Sequence, residues 1–341
     1  MTNKMIPYEL SDYVLKKYFL ETGKSQGWLT EGKNRVGVAV SGGGDSIALL
    51  WLCKKFYDGR IVAIHVNHGI RGSESDSDMD FTKNFADSLG VEIIIKLSSV
   101  PIERTKGESL EAAARRVRLR EICDVAKNFN LDYIFLGHNR DDLAETVLFN
   151  ILRGTGIRGS VGITESSIID GIKFYRPLLG LRREFLRDIL RIRGLTWRED
   201  SSNNDETYTR NFLRLNLLPL IENKINSSAI EHLANFGEDM RETREREESY
   251  SRKLLDSCRD YNFSGLALVR KKLRALNVNE CSLIIREAGR NLKLKTLSRS
   301  RCSELANLIM SGKNFIFQWC KGFNITSHDG KIYFNDERNI I

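Results

Sequence analysis

Val36-Gly-Val-Ala-Val40, Ser41-Gly42-Gly43-Gly44-Asp45-Ser46 and Ile47-Ala-Leu-Leu-Trp-Leu-Cys53 follow one another without a break. Five small or β-branched apolar residues in a row describe a strand buried on both faces. Three glycines and two serines then make a tight loop. An apolar run of helical character starts behind Asp45 or Ser46, either of which is a good N-cap. At such a junction the free backbone N–H groups and the positive end of the helix dipole converge. Glycine removes the side chains that would keep an anion away, and serine hydroxyls add donors. The stretch therefore suits phosphate or pyrophosphate. By itself it is equally a strand-to-helix turn that needs positive φ.

Two better-known phosphate loops are excluded. G-x-x-x-x-G-K-[ST] needs a lysine that this loop lacks, and the G-x-G-x-x-G spacing is absent. Thr22-Gly23-Lys24-Ser25 has the tail of the first motif, but Tyr18 stands where its first glycine belongs.

Outward from this loop, strands and helices alternate. Ile61–Val66, Val91–Leu97 and Leu131–Leu136 read as three further buried strands, each followed by a helical pattern. One of these helices starts behind Ser109 and another spans about Asp141 to Arg153. The alternation predicts a doubly wound α/β domain with a parallel sheet and helices on both faces. Ligands in such sheets bind outside the carboxyl ends of the strands. That edge collects Ser41–Ser46, His65–Arg71, the loop after Leu97, and Gly137–Asp142. Further on, Leu181–Arg193 predicts a helix with an arginine stripe at 183, 187 and 191, either a solvated face or a phosphate track. Tyr208–Leu220 predicts a helix ending at Pro219, and a long, densely charged helix follows from Asn226 to about Ser257. A small α+β module closes the chain. The expected domains are 1–220, catalytic; 221–260, a helical connector; and 261–341, a basic C-terminal module.

Composition narrows the class. The 341 residues are 41% hydrophobic and 29% charged, as in a globular protein of two or three domains. There is no apolar run of eighteen and no apolar leader at Met1, so a membrane span and a secretory signal are not expected, and the cytoplasm is. The six cysteines form no C-x-x-C, which argues against a zinc ribbon, a cluster or a redox pair. Residues 261–341 hold 14 Lys+Arg and 6 Asp+Glu, a net +8 equal to that of the whole chain, so the first 260 residues are nearly neutral. A basic tail points to a polyanion such as RNA.

Candidate chemistry lies on two helices. At 100° per residue, His138, Asp142 and Glu145 fall at about 0°, 40° and −20°, on one face, with Asp141 at its edge. Three acids exceed what a cap requires, and a divalent cation on a nucleotide would offset them. An N-terminal capping cluster is the alternative. Arg115 shares a face with Glu111 and Arg118, and could steady charge on a transferring phosphate or simply form surface ion pairs. His65 and His68 do not have the presentation of a zinc site; a polar role at the rim of the nucleotide site fits them better.

The ordered series S-G-G-G-D-S, I-H-V-N-H-G-I-R-G, E-A-A-A-R-R-V-R, G-H-N-R-D-D-L-A-E-T, L-R-G-T-G, R-P-L-L, R-E-D-S-S-N and R-N-F-L-R resembles the tRNA(Ile)-lysidine synthetase family, a branch of the PP-loop ATP pyrophosphatases, in its short-tailed form. The resemblance runs from about Val36 to Pro219. Leu143 and Leu119 depart from it, standing where glutamine and tyrosine are usual. It implies a ligase that joins free lysine to C2 of the wobble cytidine of tRNA(Ile) with a CAU anticodon, at the expense of ATP. In that reading Ser41, Gly42, Gly43, Gly44, Asp45 and Ser46 hold ATP, with His65 and Gly137 beside them. Asp45 and Asp142 share Mg²⁺, and Arg115 stabilises the transition state, which makes Asp45, Arg115 and Asp142 the catalytic set. Asp141 and Glu145 attract the lysine ammonium, and the basic tail grips tRNA. A homodimer is left open. The alternatives are a PP-loop tRNA thiolase and a non-catalytic RNA-binding protein.

Overall fold

The computed structural model describes residues 10–29, 34–70, 72–199 and 209–336. The predicted positions Arg71, Ser201–Asn204 and Tyr208 lie outside them. The chain divides into two compact units, Met1–Met240 and Arg241–Ile341.

The first unit opens with α1 (Asp12–Gln26), capped by Ser11. It continues with β1 (Arg35–Ala39), α2 (Gly44–Phe56), β2 (Arg60–Asn67), α3 (Ser73–Ser88), β3 (Glu92–Leu97), the short α4 (Val100–Glu103), α5 (Leu110–Asn128), β4 (Tyr133–Phe135) and α6 (Arg140–Leu152). Apart from α4, which lies where a loop after Leu97 was expected, these are the expected strands and helices. The glycine-rich stretch after Leu152 is not only loop. It holds α7 (Ile157–Ser160) and a hairpin, β5 (Ser166–Ile169) and β6 (Ile172–Tyr175). The sheet therefore has six strands in the order β3-β2-β1-β4-β6-β5. Neighbours are parallel except β5 against β6. Short polar strands such as Ser166–Ile169 carry too weak an alternation to stand out before the sheet edge is in place.

β1 is the centre of the sheet and is covered on both faces. Val36 and Val38 pack into the core with Ile47, Leu49 and Leu50 of α2, while Val62, Ile64 and Ile134 face a second cluster with Ile122 and Val125 of α5. Each fully buried aliphatic side chain contributes about 1.5–3 kcal/mol, so the strand that carries the glycine loop is firmly anchored. Gly37 is required there, because a Cβ would sit 2.5 Å from Ile134 Cδ1 and 2.8 Å from Ile64 Cδ1.

Next come α8 (Arg183–Ile192), α9 (Thr209–Phe212), a π-helical turn (Leu213–Leu217) and α10 (Leu218–Lys224). Pro219 does not end this helix, as the sequence suggested, but sits in the first turn of α10. Proline inside a regular α-helix removes one hydrogen bond and strikes the carbonyl four residues back. The π turn immediately before it changes that register, and such turns recur at functional sites. The long charged helix, α11 (Ala229–Cys258), crosses the division between the units.

In the second unit β7 (Leu266–Val269), α12 (Arg270–Arg274), α13 (Val278–Asn291), α14 (Arg299–Ser311), β8 (Ile316–Cys320), β9 (Phe323–His328) and β10 (Lys331–Asp336) build a four-stranded antiparallel sheet, β7-β10-β9-β8. One face packs on α13 and α14 through Phe317, Trp319, Ile325 and Ile332. No helix of the described residues is long and apolar enough to cross a membrane.

Candidate active site

The loop after β1 is built largely by its own side chains. The helix starts two or three residues earlier than expected: Gly43, not Asp45 or Ser46, is the N-cap, and it offers no side chain to the first turn. Ser46 instead ties the loop to the helix, without capping the first-turn N–H groups. Its hydroxyl donates to the Gly43 carbonyl at 2.8 Å and accepts from the Ser41 N–H at 3.1 Å. Ser41 Oγ lies 3.2 Å from Ser46 Oγ and accepts from the Gly43 N–H at 3.4 Å. Gly42 has φ 91°, in the left-handed region, and a Cβ there would lie 3.1 Å from Thr82 Oγ1. The α2 N-terminus, with Asp45 in its first turn, points out of the carboxyl edge of the sheet.

Three other segments brace the loop. His65, buried at the end of β2, donates from Nδ1 to the Val40 carbonyl at 2.9 Å. Burial depresses its pKa, which keeps the imidazole neutral and able to make this bond. Gly137, just past β4, sits against α2, where a Cβ would be 3.3 Å from the backbone of Asp45 and Ser46. The Arg198 N–H donates to the Gly42 carbonyl at 3.0 Å, its guanidinium to Asp78 at 3.0 Å, and the Trp197 ring covers Gly44.

The acidic face of α6 is present, but it is neither open nor a simple cap. Asn139 caps α6, and Asp142 returns one oxygen to the Asn139 N–H at 3.1 Å, closing a capping box. The other oxygen of Asp142 accepts from Arg183 Nη2 at 2.7 Å and from Arg214 Nη2 at 3.0 Å. Glu145, 1% exposed, accepts from both arginines at 2.8–3.1 Å. Arg183 Nε also stands 3.7 Å from Asp45 Oδ2. Asp45, Asp142 and Glu145 thus converge around two guanidinium groups. Asp141 turns the other way. Its carboxylate caps α8 by accepting from the Arg183 N–H at 2.8 Å, and it pairs with Arg182 at 3.1 Å.

Protonation follows from this arrangement. Burial and the charge of Asp142 push Asp45 up to about 6. Burial also works against the Asp142 carboxylate, but Arg183, His138, Arg214 and the Asn139 N–H outweigh it and hold its pKa below the ordinary value. Asp142, held ionised by the arginines, raises Asp45 beside it, and two neighbouring carboxylates next to such a loop are a donor set that fits a divalent cation. Asp45 and Asp142 are the residues that could hold it. Among the described residues no group of three or more His, Cys, Asp or Glu side chains has metal-binding geometry, and the arginines supply the countercharge that a metal-only cage would need.

A basic wall faces this cluster. Arg115 is exposed on α5, and among the described residues it makes no ion pair. Its charge depresses the pKa of its neighbours Arg118 and Arg176 in addition to their burial, which brings Arg176 to about 10. His138 lies among these arginines, with Nδ1 buried and no hydrogen bond to the described residues. Burial lowers it to about 4 even though Asp142 attracts its proton. Glu111 and Asp142 offset these cations only in part, and an anionic ligand would relieve the rest.

Arg183 and Arg214 are the important residues that sequence reasoning misplaced. Arg183 looked like one member of an exposed stripe; in the structure only Arg187 and Arg191 keep that role, pairing with Glu199 and with Glu184 and Asp188. Leu186, Ile189 and Leu190 bury the α8 face, which rotates Arg183 onto α6. The two departures from the family pattern are filled by packing: Leu143 is buried with Val147, Leu179 and Leu218, and Leu119 lies against the α5 core.

A glycine loop joining β1 to α2, at the carboxyl edge of a parallel sheet and flanked by a charged α6, defines a nucleotide-binding α/β unit. The chain belongs to the PP-loop domain family, whose model matches residues 13–221. It is 36% identical over 259 residues to a tRNA(Ile)-lysidine synthase of Solibacter usitatus, an alignment covering 74% of this chain and 56% of that one. It is 41% identical over 207 residues to one of Thermus thermophilus, covering 60% and 39%. The chain thus spans about half the length of the curated relatives it matches. In three dimensions it is similar to the U34-tRNA thiolase NcsA of Methanococcus maripaludis, with TM-score 0.56, 19% identity, and 66% and 79% of the two chains covered. That likeness is one of fold.

Proposed function

We propose that this protein is an ATP-dependent ligase that joins free lysine to C2 of the wobble cytidine of tRNA(Ile) with a CAU anticodon. In the first step the C2 carbonyl oxygen of the base attacks the α-phosphorus of ATP and pyrophosphate leaves. In the second, the lysine ε-amine attacks C2, loses a proton, and AMP leaves with the former carbonyl oxygen. The target base has to leave its stack to enter such a site.

The observation that carries this reading is the charge balance beside the loop. Three carboxylates (Asp45, Asp142 and Glu145) meet two guanidinium groups (Arg183 and Arg214), which leaves one negative charge beside a phosphate-binding loop. That residue of charge suits an ammonium substrate and a magnesium–nucleotide together. Ser41, Gly42, Gly43, Gly44 and Ser46 take the phosphates, with His65 and Gly137 setting the loop's position. Asp45 and Asp142 hold Mg²⁺, which would neutralise phosphate charge. Arg115 lies on the basic wall and meets charge developing on the α-phosphate. Glu145 attracts the amine, and Asp141 contributes by fixing α8 and hence Arg183. The basic C-terminal unit binds tRNA backbone, the protein works in the cytoplasm, and the assignment holds for a monomer or a homodimer.

The test is incubation with unmodified tRNA(Ile), ATP and labelled lysine. Label in tRNA with one AMP and one pyrophosphate per lysine supports the ligase. Base modification without lysine favours a thiolase, and tRNA binding without ATP turnover favours a non-catalytic protein.

A further inference from the structure

The second unit holds an unusual face that the catalytic reading does not use. Alternation along the strands turns Phe317, Trp319, Ile325, Ile332 and Phe334 onto the helices, so the residues between them face outward. Tyr333 pairs across the sheet with Thr326, and Thr326 with Ile316, so all three stand on the open side, Ile316 at 76% exposure. One step along, Lys331 is opposite His328. On this face the His328 and Tyr333 rings stack at 4.3 Å and 17°, and Phe263 meets Tyr333 edge-on at 5.2 Å and 73°. Lys331 is tied to Asp260 at 2.5 Å, which pins the chain around Phe263 over the sheet.

We propose that this open face is a stacking platform for unpaired nucleotides of RNA. A packed group of rings, His328 on Tyr333 with Phe263 edge-on from the neighbouring turn, half-buried or exposed, offers its outer π-faces to bases that have left a helix. An aliphatic patch of the same size would suit a protein partner, but these rings carry polar edges. On the face itself Lys331 and His328 are paired with Asp260 and Asp329, but the stretch that carries it is basic as a whole, 14 basic against 6 acidic side chains over residues 261–341, which favours a polyanion. Paired RNA presents no free base faces, so the ligand is a single-stranded segment. The partner is RNA because of the function proposed above, whereas the stacking face rests on the second unit alone.

The experiment uses the full-length protein and two probes: unmodified tRNA(Ile), and an unstructured ten-nucleotide oligoribonucleotide with a duplex of equal length as control. Tyr333→Ala is expected to weaken the oligonucleotide about 5- to 150-fold, the range for loss of one stacked base, and to weaken tRNA in the same direction. Tyr333→Phe should bind within twofold of wild type, and the duplex should bind no better to wild type than to Tyr333→Ala. Thermal melts of each variant separate loss of the ring from loss of the fold. Equal oligonucleotide affinity for wild type and a folded Tyr333→Ala overturns the proposal. So does a change in oligomeric state with RNA affinity intact, which would assign the face to a second copy of the chain. If lysine is not incorporated but oligonucleotide binding still depends on Tyr333, the ligase reading fails and the platform stands.

Discussion

Replacing Arg183 by methionine tests the electrostatic core of the site. Methionine keeps much of the length and apolar stem, and removes the guanidinium that reaches Asp142 at 2.7 Å, Glu145 at 3.0 Å and Asp45 at 3.7 Å. Arg183 and Asp142 are 16% and 13% exposed and Glu145 1%, so this is a nearly buried network. Taking one partner from a buried pair costs about 3–5 kcal/mol, because the remaining charge is left without compensation. Arg214 still contacts both acids, which places the expected loss near the lower end, about 3 kcal/mol, a large part of a typical folding free energy.

The pH dependence has a definite sign. In the wild type the Asp142 pKa is depressed, so its ion pairs stabilise the fold above the unfolded value near 4, and that contribution disappears as pH falls through the folded value. In Arg183→Met burial dominates, so a carboxyl of the cluster binds a proton at higher pH and the strain relaxes on acidification. The penalty should be greatest near pH 7.5 and shrink toward pH 5. Denaturant unfolding in magnesium-free buffer, followed by tryptophan fluorescence, reads it, since Trp28, Trp51 and Trp197 lie in the first unit and only Trp319 in the second. A penalty below about 1 kcal/mol at pH 7.5, or one that grows toward pH 5, would refute the argument.

Other expectations follow from the same geometry. Asp45→Asn removes a carboxyl that burial and Asp142 hold at about 6; it should unfold later than wild type at pH 7.5, lose that advantage below pH 5, and fail to incorporate lysine. Asp142→Asn should also abolish lysine incorporation, and wild-type rates in both variants would sink the metal assignment. Arg115→Gln should melt within about 0.5 kcal/mol of wild type, as exposed positions do, while turnover falls at least tenfold with little change in the KM for lysine; unaltered turnover would return Arg115 to the helix surface. Gly137→Ala pushes a methyl to 3.3 Å from the backbone of Asp45 and Ser46; a cost of about 1–3 kcal/mol with weaker ATP binding is expected, and unchanged ATP affinity would separate Gly137 from the loop.

Much of the first unit was legible in the chain. The run Val36–Val40 is buried on both faces, and only a central strand needs that composition. The loop Ser41–Ser46 read equally as a phosphate cradle and as a turn needing positive φ, and Gly42, at φ 91°, does take that conformation. Ser109 announces α5 because a cap acts within four residues, while the Asn139 cap of α6 was not read from the chain. The N-cap of α2 was misjudged because Asp45 and Ser46 are both good caps by residue type, whereas Gly43 takes the position and Ser46 turns its hydroxyl to the Gly43 carbonyl from within the helix. The β5–β6 hairpin escaped notice because its residues alternate weakly and are specified by the edge of β4.

Periodicity, caps and glycine placement act over a few residues, and so the sequence alone determined the β/α order, the phosphate loop and the acidic face of α6. Charge pairing acts through space. Asp142 and Arg183 are 41 residues apart, and Glu145 and Arg214 are 69 apart, and no local rule distinguishes these arginines from their exposed neighbours. Only the packing of α8 and the π turn onto α6 decided which guanidiniums are buried, which carboxyl binds a proton near pH 6, and that Asp141 faces α8 instead of the loop. The sequence placed the acids together; the tertiary structure settled their charge.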